Sequence, residues 1–291
     1  MAARNADFAG NWYPGTASEC RRAIEEFSRS GAPCPSGVGV GGIVPHAGWV
    51  FSGKIACNVI RCLSEQSSPE TIVLFGRHLH PSSKSYIMAE GSWETPLGEL
   101  DIDQELGKRL LAEFPFVAET PTRYDPDNTI ELQLPFIKHY FPGVKILPLG
   151  VPPAQPSLRI GERAVEICRD MRRKALVLGS TDLTHYGYNY GYAPKGSGKQ
   201  AVDWVKNEND QRLVDLILKM DAAEVIRESL THHNACCSGA VAAAIAAAKK
   251  LGAAEARKLF YATSYDIRPD SSFVGYVGVV FLSTPAIPAQ R

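Results

Sequence analysis

Four short, largely apolar runs, each stopped by proline or glycine, do most to limit what this chain can fold into. They are Gly42-Ile43-Val44 before Pro45, Thr71-Ile72-Val73-Leu74-Phe75 before Gly76, Val144-Lys145-Ile146-Leu147-Pro148-Leu149 before Gly150, and Ala175-Leu176-Val177-Leu178 before Gly179. Such runs read as strands buried on both faces, the mark of a parallel sheet covered by helices. The segments between them carry apolar residues at helical spacing, as Ile55, Val59, Ile60 and Leu63 do. Alternating strands and helices predict an α/β fold with a largely parallel central sheet flanked by helices. One unit is expected over residues 1–283, with an Ala/Pro tail at 284–291 expected to be disordered.

Helices are expected from Ser18 to about Ser28, from a Ser52 cap to about Ser64, over Gln104–Phe114, near 157–172, 200–219 and 222–229, and over Ala240–Leu251. A short helix capped by Asn128 or Thr129 should meet Pro135, and closing strands are expected at Lys258–Thr263 and Phe273–Leu282. Gly31 to Gly42 reads as a Pro/Gly linker. Its Gly37-Val38-Gly39-Val40-Gly41-Gly42 matches GxGxxG by letter but precedes a strand, so the phosphate-binding geometry is absent.

Composition narrows the partners. Thirty-one basic and 31 acidic residues cancel, which removes the footprint expected of a nucleic-acid binder or a membrane-surface protein. No apolar run approaches the roughly 20 residues of a membrane span, and the amino terminus lacks a signal-peptide core, so a cytoplasmic protein is expected. The seven cysteines show neither a disulfide-scaffold spacing nor a CxxC pair and read as mostly free thiols in a reducing compartment.

In open α/β sheets ligands bind at the carboxyl ends of the strands. His46 follows the first run, His78 and His80 follow the second, and Ser180-Thr181-Asp182-Leu183-Thr184-His185-Tyr186-Gly187 follows the fourth. Cys236-Cys237 precedes an alanine-rich helix, whose dipole favours thiolate. A lone histidine at a strand end is commonly an ordinary surface or core residue, but here the placement recurs. Two imidazoles and a thiolate with open positions suit a divalent metal, Fe(II) favoured, Cu or Zn fitting too. His46, His80 and Cys237 match that description, with His185 beside Asp182 placed for acid/base work. His78, expected on the other side of the turn from His80, is secondary, as are Asn128, Glu131, Cys236 and Asp270.

Assembled in order, Ala9-Gly10-Asn11-Trp12-Tyr13, Pro45-His46-Ala47-Gly48, Gly76 to His80, Trp93 to Leu97, Thr129-Ile130-Glu131-Leu132-Gln133-Leu134-Pro135, Ser180 to Gly187 and Asp270-Ser271-Ser272 make the chain resemble the Memo family, called AmmeMemoRadiSam system protein B in prokaryotes. That resemblance covers nearly the whole chain. It implies a fold similar to the class III extradiol dioxygenases, with metal ligands His46, His80 and Cys237 and an acid/base pair Asp182 and His185. The family writes a serine and two adjacent histidines where this chain has Arg77-His78-Leu79-His80, which leaves His78 as the alternative ligand, and the doubled cysteine leaves Cys236 as the alternative to Cys237. The family also carries a histidine where Asn128 stands.

By resemblance the function is metal-dependent redox or dioxygenase-like chemistry on an unknown small substrate. The opposing expectation is a non-catalytic module that binds a peptide or protein in a vestigial pocket, as the family's link to receptor-driven cell motility implies. The same resemblance implies an accessory role with radical-SAM and AMMECR-type proteins.

Overall fold

A computed structural model describes residues 2–283, so the tail expected at 284–291 lies outside the described residues. Along the chain come β1 (Ala3–Arg4), α1 (Ala17–Arg29), β2 (Val38–Val44), α2 (Trp49–Gln66), β3 (Thr71–Gly76), β4 (Ser85–Met88), β5 (Ser92–Trp93), β6 (Leu100–Asp101), α3 (Gln104–Glu113) and β7 (Phe116–Glu119). There follow α4 (Asn128–Glu131), α5 (Leu134–Tyr140), β8 (Lys145–Gly150), α6 (Gln155–Asp170), β9 (Ala175–Ser180), β10 (His185–Tyr186), α7 (Lys199–Trp204), α8 (Asp210–Leu218), α9 (Ala222–His232), α10 (Ser238–Lys250), β11 (Ala253–Thr263), α11 (Ser264–Ile267) and β12 (Phe273–Ser283).

The main sheet runs β10-β12-β2-β9-β3-β8-β4-β7, with β11 paired to β12. Its centre, β2-β9-β3-β8, is parallel throughout. The long β12 lies antiparallel on β2, and β4 lies antiparallel on β8. The expected architecture is therefore the observed one, and it has a direct cause: Ile43, Ile72, Val73, Leu147 and Val177 are fully buried because helices cover both faces. Full burial of each such side chain stabilises the fold by roughly 1.5–3 kcal/mol.

Register sets up everything that follows. Val44 pairs with Ser180 and Phe75 with Gly179, so the segments after β2, β3 and β9 leave the sheet side by side at one edge. Behind them α10 lies close beneath the sheet on its small residues. A Cβ on Gly179 would come within 2.8 Å of the Ala240 carbonyl, and one on Gly161 of α6 within 2.3 Å of the Ala243 carbonyl.

Several local expectations are corrected. β2 begins at Val38, inside the segment read as a linker, because its glycines admit neighbouring strands: a Cβ on Gly41 would meet the Val177 carbonyl at 2.5 Å. α1 is capped by Thr16. α2 starts at Trp49 with Gly48 as its cap, while Ser52 lies within the first turn and donates to the Ala47 carbonyl at 2.9 Å. Asp127, not Asn128 or Thr129, caps α4 by accepting from the Thr129 amide. The helix expected at 200–219 is interrupted by a π-helical stretch at Val205–Asn209. Finally, Cys34 and Cys62 form a disulfide tying the segment before β2 to α2, contrary to the reading of free thiols, because β2 and α2 run back to back. Among the described residues no helix is long and apolar enough to cross a membrane.

The amino terminus is pinned rather than loosely draped. Arg4, 1% exposed, is sandwiched between Trp93 at 3.7 Å and Tyr124 at 4.1 Å and bonds Glu119 at 3.3 Å. Glu119 also receives Arg77 at 2.7 Å, so this arm and the loop after β3 share one carboxylate.

Candidate metal centre

His46 leaves β2 at Pro45 and is 2% exposed. Its backbone is held from two sides: its amide donates to Asp182 Oδ1 at 2.8 Å, and its carbonyl accepts from Asn128 Nδ2 at 3.2 Å. The ring is fixed by Ser180. That hydroxyl spends its one proton on the Thr129 carbonyl at 2.6 Å, so at 2.9 Å it must accept from His46 Nδ1. Nδ1 therefore carries a hydrogen, and Nε2 is the atom turned toward the remaining donors.

Those donors are close. His78 Nε2 lies 3.2 Å from His46 Nε2, and Cys236 Sγ lies 3.2 Å from the same atom. Together His46, His78, Cys236 and Cys237 bring one donor atom each within 4.8 Å of one another. Metal–nitrogen bonds near 2.0 Å and metal–sulfur bonds near 2.3 Å put neighbouring ligands of a tetrahedral ion roughly 3.3–3.8 Å apart. The two 3.2 Å contacts thus already stand near the edge length of such a tetrahedron.

Here the geometry departs from the ligand set expected from sequence. His80 is exposed and turned into its own loop, where Nδ1 accepts from the Ser82 amide at 3.2 Å and lies 2.7 Å from its hydroxyl. His78 reaches the cluster because Arg77 adopts φ 76°, a left-handed conformation unusual for a non-glycine residue. Arg77 is held there by its amide bond to Thr129 Oγ1 at 2.7 Å, ion pairs to Glu119 and Asp125, and the Tyr86 ring at 4.0 Å.

Both cysteines enter the cluster. The Cys236 amide donates to the Asp182 carbonyl at 3.2 Å and its sulfur accepts from the Asp182 amide at 3.2 Å, while Cys237 caps α10 and its amide donates to Thr181 Oγ1 at 3.1 Å. Burial pushes the Cys236 thiol up, but hydrogen bonding from Cys237 and the charge of His46 outweigh it and hold Cys236 well below the usual cysteine range. Cys237 moves the other way, raised by burial and by the neighbouring Cys236. Burial pulls the His46 imidazole down, yet Cys236 and Asp182 overcome it and push the group up to about 9. Without metal, the shifts of His46 and Cys236 favour an imidazolium–thiolate pairing, and that of Cys237 favours the thiol.

The cluster opens into a cavity of about 680 Å³ lined by His46, His78, Asn128, Asp182, His185 and aromatic residues. His185 Nδ1 lies 3.2 Å from the Leu183 carbonyl, which can only accept, so Nδ1 carries the proton and Nε2 is basic. Asp182 is 3% exposed, and burial raises its carboxyl despite the opposing charge of His46. Asp270 stands exposed on the cavity rim, accepting from Ser271 and Ser272. Glu131 lies elsewhere: it accepts the amides of Asp7 and Phe8 and the Tyr13 hydroxyl, anchoring the amino-terminal arm.

Ser180, Thr181 and Tyr190 carry no expectation from the sequence, and Thr129 is expected there only as a possible helix cap. Ser180 and Thr181 stand inside the motif that closes β9, and their position beside an aspartate at a strand end was the available signal. Tyr190, whose ring stands edge-on to His185 at 4.9 Å, had none beyond a tyrosine-rich loop.

Fold and cluster define the class: an α/β protein with a His/Cys donor set at the carboxyl edge of a parallel sheet. A family model described as Memo-like protein matches residues 4–280. A MEMO1 family protein of Pyrococcus furiosus is 32% identical over 288 residues, spanning 95% of this chain and 98% of the relative. Another, from Pyrococcus abyssi, is 34% identical over 285 residues, spanning 94% and 97%. The chain belongs to the Memo-like family. A crystal structure of an uncharacterized Escherichia coli K12 protein is similar at 11% identity and a TM-score of 0.49, covering 82% of this chain and 98% of that one.

Proposed function

We propose that this chain is a metal-dependent redox protein with dioxygenase-like chemistry, acting on a small organic molecule in the cavity over His46. The observation that carries it is the convergence of four soft or borderline donor atoms within 4.8 Å, two of which, on His46 and His78, belong to residues lining a cavity that His185 also lines. His46, His78 and Cys236 would hold the ion, with Cys237 behind them giving its thiol hydrogen to the Cys236 sulfur. Two imidazoles and a thiolate fit Fe(II), and also Cu or Zn. When bound, such an ion supplies Lewis acidity and, for iron or copper, one-electron chemistry.

The chain's own residues supply the rest. Ser180 and Asp182 fix His46, the first through Nδ1 and the second through the backbone amide, so that Nε2 is presented at one angle. His185 offers basic Nε2 to the cavity and can take a proton from a ligand hydroxyl and return it. Trp12, Phe51 and Tyr190 give the cavity an apolar wall.

Protein purified without oxygen is expected to carry about one iron or copper per chain. Replacing His46 or Cys236 with alanine or serine should abolish loading, as should His78→Ala, whereas His80→Ala should retain it. Metal retained in His78→Ala and lost in His80→Ala would reverse the assignment. His185→Ala should keep the metal and lose any oxygen consumption found with small phenols. A second reading, a pocket that binds a peptide without turnover, draws on the exposure of Trp12 (38%) and Val50 (72%) at the rim. Metal loading without turnover, combined with a peptide that competes for the cavity, would favour it. An accessory partnership with radical-SAM and AMMECR-type proteins is a proposal resting on family resemblance alone.

A further inference from the structure

The cavity wall carries one permanent cation among its described residues. Arg268 is the only lysine or arginine among the described residues lining it. Elsewhere the arginines around the site are committed: Arg4 and Arg77 both pair with Glu119. The Arg268 guanidinium, by contrast, has no hydrogen-bond acceptor or ion-pair partner among the described residues. Asp270, on the same rim, feels the charge of Arg268 but spends Oδ1 on the Ser271 hydroxyl and the Ser272 amide and makes no ion pair with it. Five N–H donors are thus left facing solvent and cavity.

The backbone under this residue is unusually well fixed for an exposed loop. Thr263 and Asp266 form a reciprocal capping box at the start of α11, and the Arg268 amide closes the turn onto the Ser264 carbonyl at 2.9 Å. Pro269 follows, and the residue before a proline is confined to extended backbone, which is where Arg268 lies at φ −141°, ψ 99°. The backbone that carries the guanidinium is therefore held, which lowers the backbone part of the ordering cost of binding.

The other half of the pattern is apolar. Trp12, Val50 and Tyr190 are all large hydrophobic side chains with substantial exposure, and all three line this same cavity beside Phe51. Exposed aromatics gathered round a concave site mark a ligand surface, and flat unsaturated molecules match aromatic walls best. A cationic fork, an aromatic collar and the His46 and His78 rings of the donor cluster, all lining one cavity, describe a ligand with three parts.

We propose that Arg268 is the anchor for a carboxylate group on an aromatic small molecule, and that it selects anionic over neutral ligands at this cavity. This rests on the cavity being the functional site proposed above. A guanidinium matches a carboxylate with two parallel hydrogen bonds, so replacement by lysine keeps the charge and loses the fork. Bound by its carboxylate to Arg268 and by its ring to the collar, such a ligand directs its far edge into the cavity, toward the donor cluster.

Benzoate and its neutral counterpart benzamide separate the possibilities, titrated calorimetrically into the full chain with metal content measured in parallel. The unaltered protein should bind benzoate roughly 10- to 100-fold more tightly than benzamide, the span expected of a charge-assisted pair. Arg268→Gln should bring the two within about threefold, and Arg268→Lys should fall between; the side chain is exposed, so the fold should tolerate both. Equal binding of the two probes by the unaltered protein, no detectable benzoate binding, or a benzoate preference that survives Arg268→Gln would overturn the assignment. Anion preference in a protein that never loads metal would sink the metal reading while leaving Arg268 in place.

Discussion

At the scale of single residues the site turns on which nitrogen carries which proton. Ser180 decides this for His46, because a hydroxyl that donates to a carbonyl can only accept from the imidazole. Ser180→Ala should therefore weaken metal affinity by roughly 10- to 100-fold, as loss of a ligand's orienting partner commonly does, without unfolding the chain. Affinity unchanged in a chelator competition would refute the role. The same residue sets a pH dependence. With His46 pushed up to about 9, Nε2 is protonated at neutral pH and the metal must displace that proton, whereas Cys236 is held well below the usual cysteine range and gives up its proton more readily. Metal affinity should rise about tenfold per pH unit from neutrality and level off near pH 9. A flat profile over that range would rule out the imidazolium–thiolate pair.

At the scale of elements, the short α4 joins the amino-terminal arm to the site, for it carries Thr129, which holds Ser180 and Arg77, and Glu131, which holds the arm. Burial pushes the Glu131 carboxyl up to about 7 against its three hydrogen-bond donors. The folded chain then holds this proton more tightly than the unfolded chain. The group costs nothing below pH 4.5, its penalty grows as pH climbs to about 7, and it stays constant above. Shifts of this size correspond to about 3 kcal/mol. Asp210, also raised by burial to about 6, slopes the same way, so the comparison must be with a variant. Glu131→Gln should remove most of the slope in denaturation midpoint between pH 4.5 and 7 that Asp210 leaves unexplained. A slope identical to that of the unaltered chain would show that the arm is anchored by an ionised carboxylate throughout.

For the whole molecule, the sheet was legible because its strands are buried on both faces and so read as continuous apolar runs. The carboxyl-edge site was legible for the same reason, since strand ends can be counted. Side-chain choice within a turn was not. His78 and His80 have the same parity after β3, and what separates them is the left-handed backbone at Arg77 and the local bond from Ser82 to His80, both products of tertiary contacts. The Cys34–Cys62 disulfide was hidden likewise, since its 28-residue separation resembles no scaffold spacing and only the antiparallel course of α2 behind β2 brings the sulfurs together. That same course gives the molecule two ends. β2 delivers His46 at its carboxyl edge, while the disulfide ties the segment entering its other end, about 20 Å away for seven extended residues. Closing a loop of this length stabilises the fold by about 3.6 kcal/mol on the chain-entropy account. The double variant Cys34→Ala/Cys62→Ala should therefore unfold at lower denaturant while loading the same metal per chain. If loading falls in parallel with stability, the two ends of the sheet are coupled, and the site's geometry depends on tension carried through β2 rather than on the local anchors Ser180, Asp182 and Arg77.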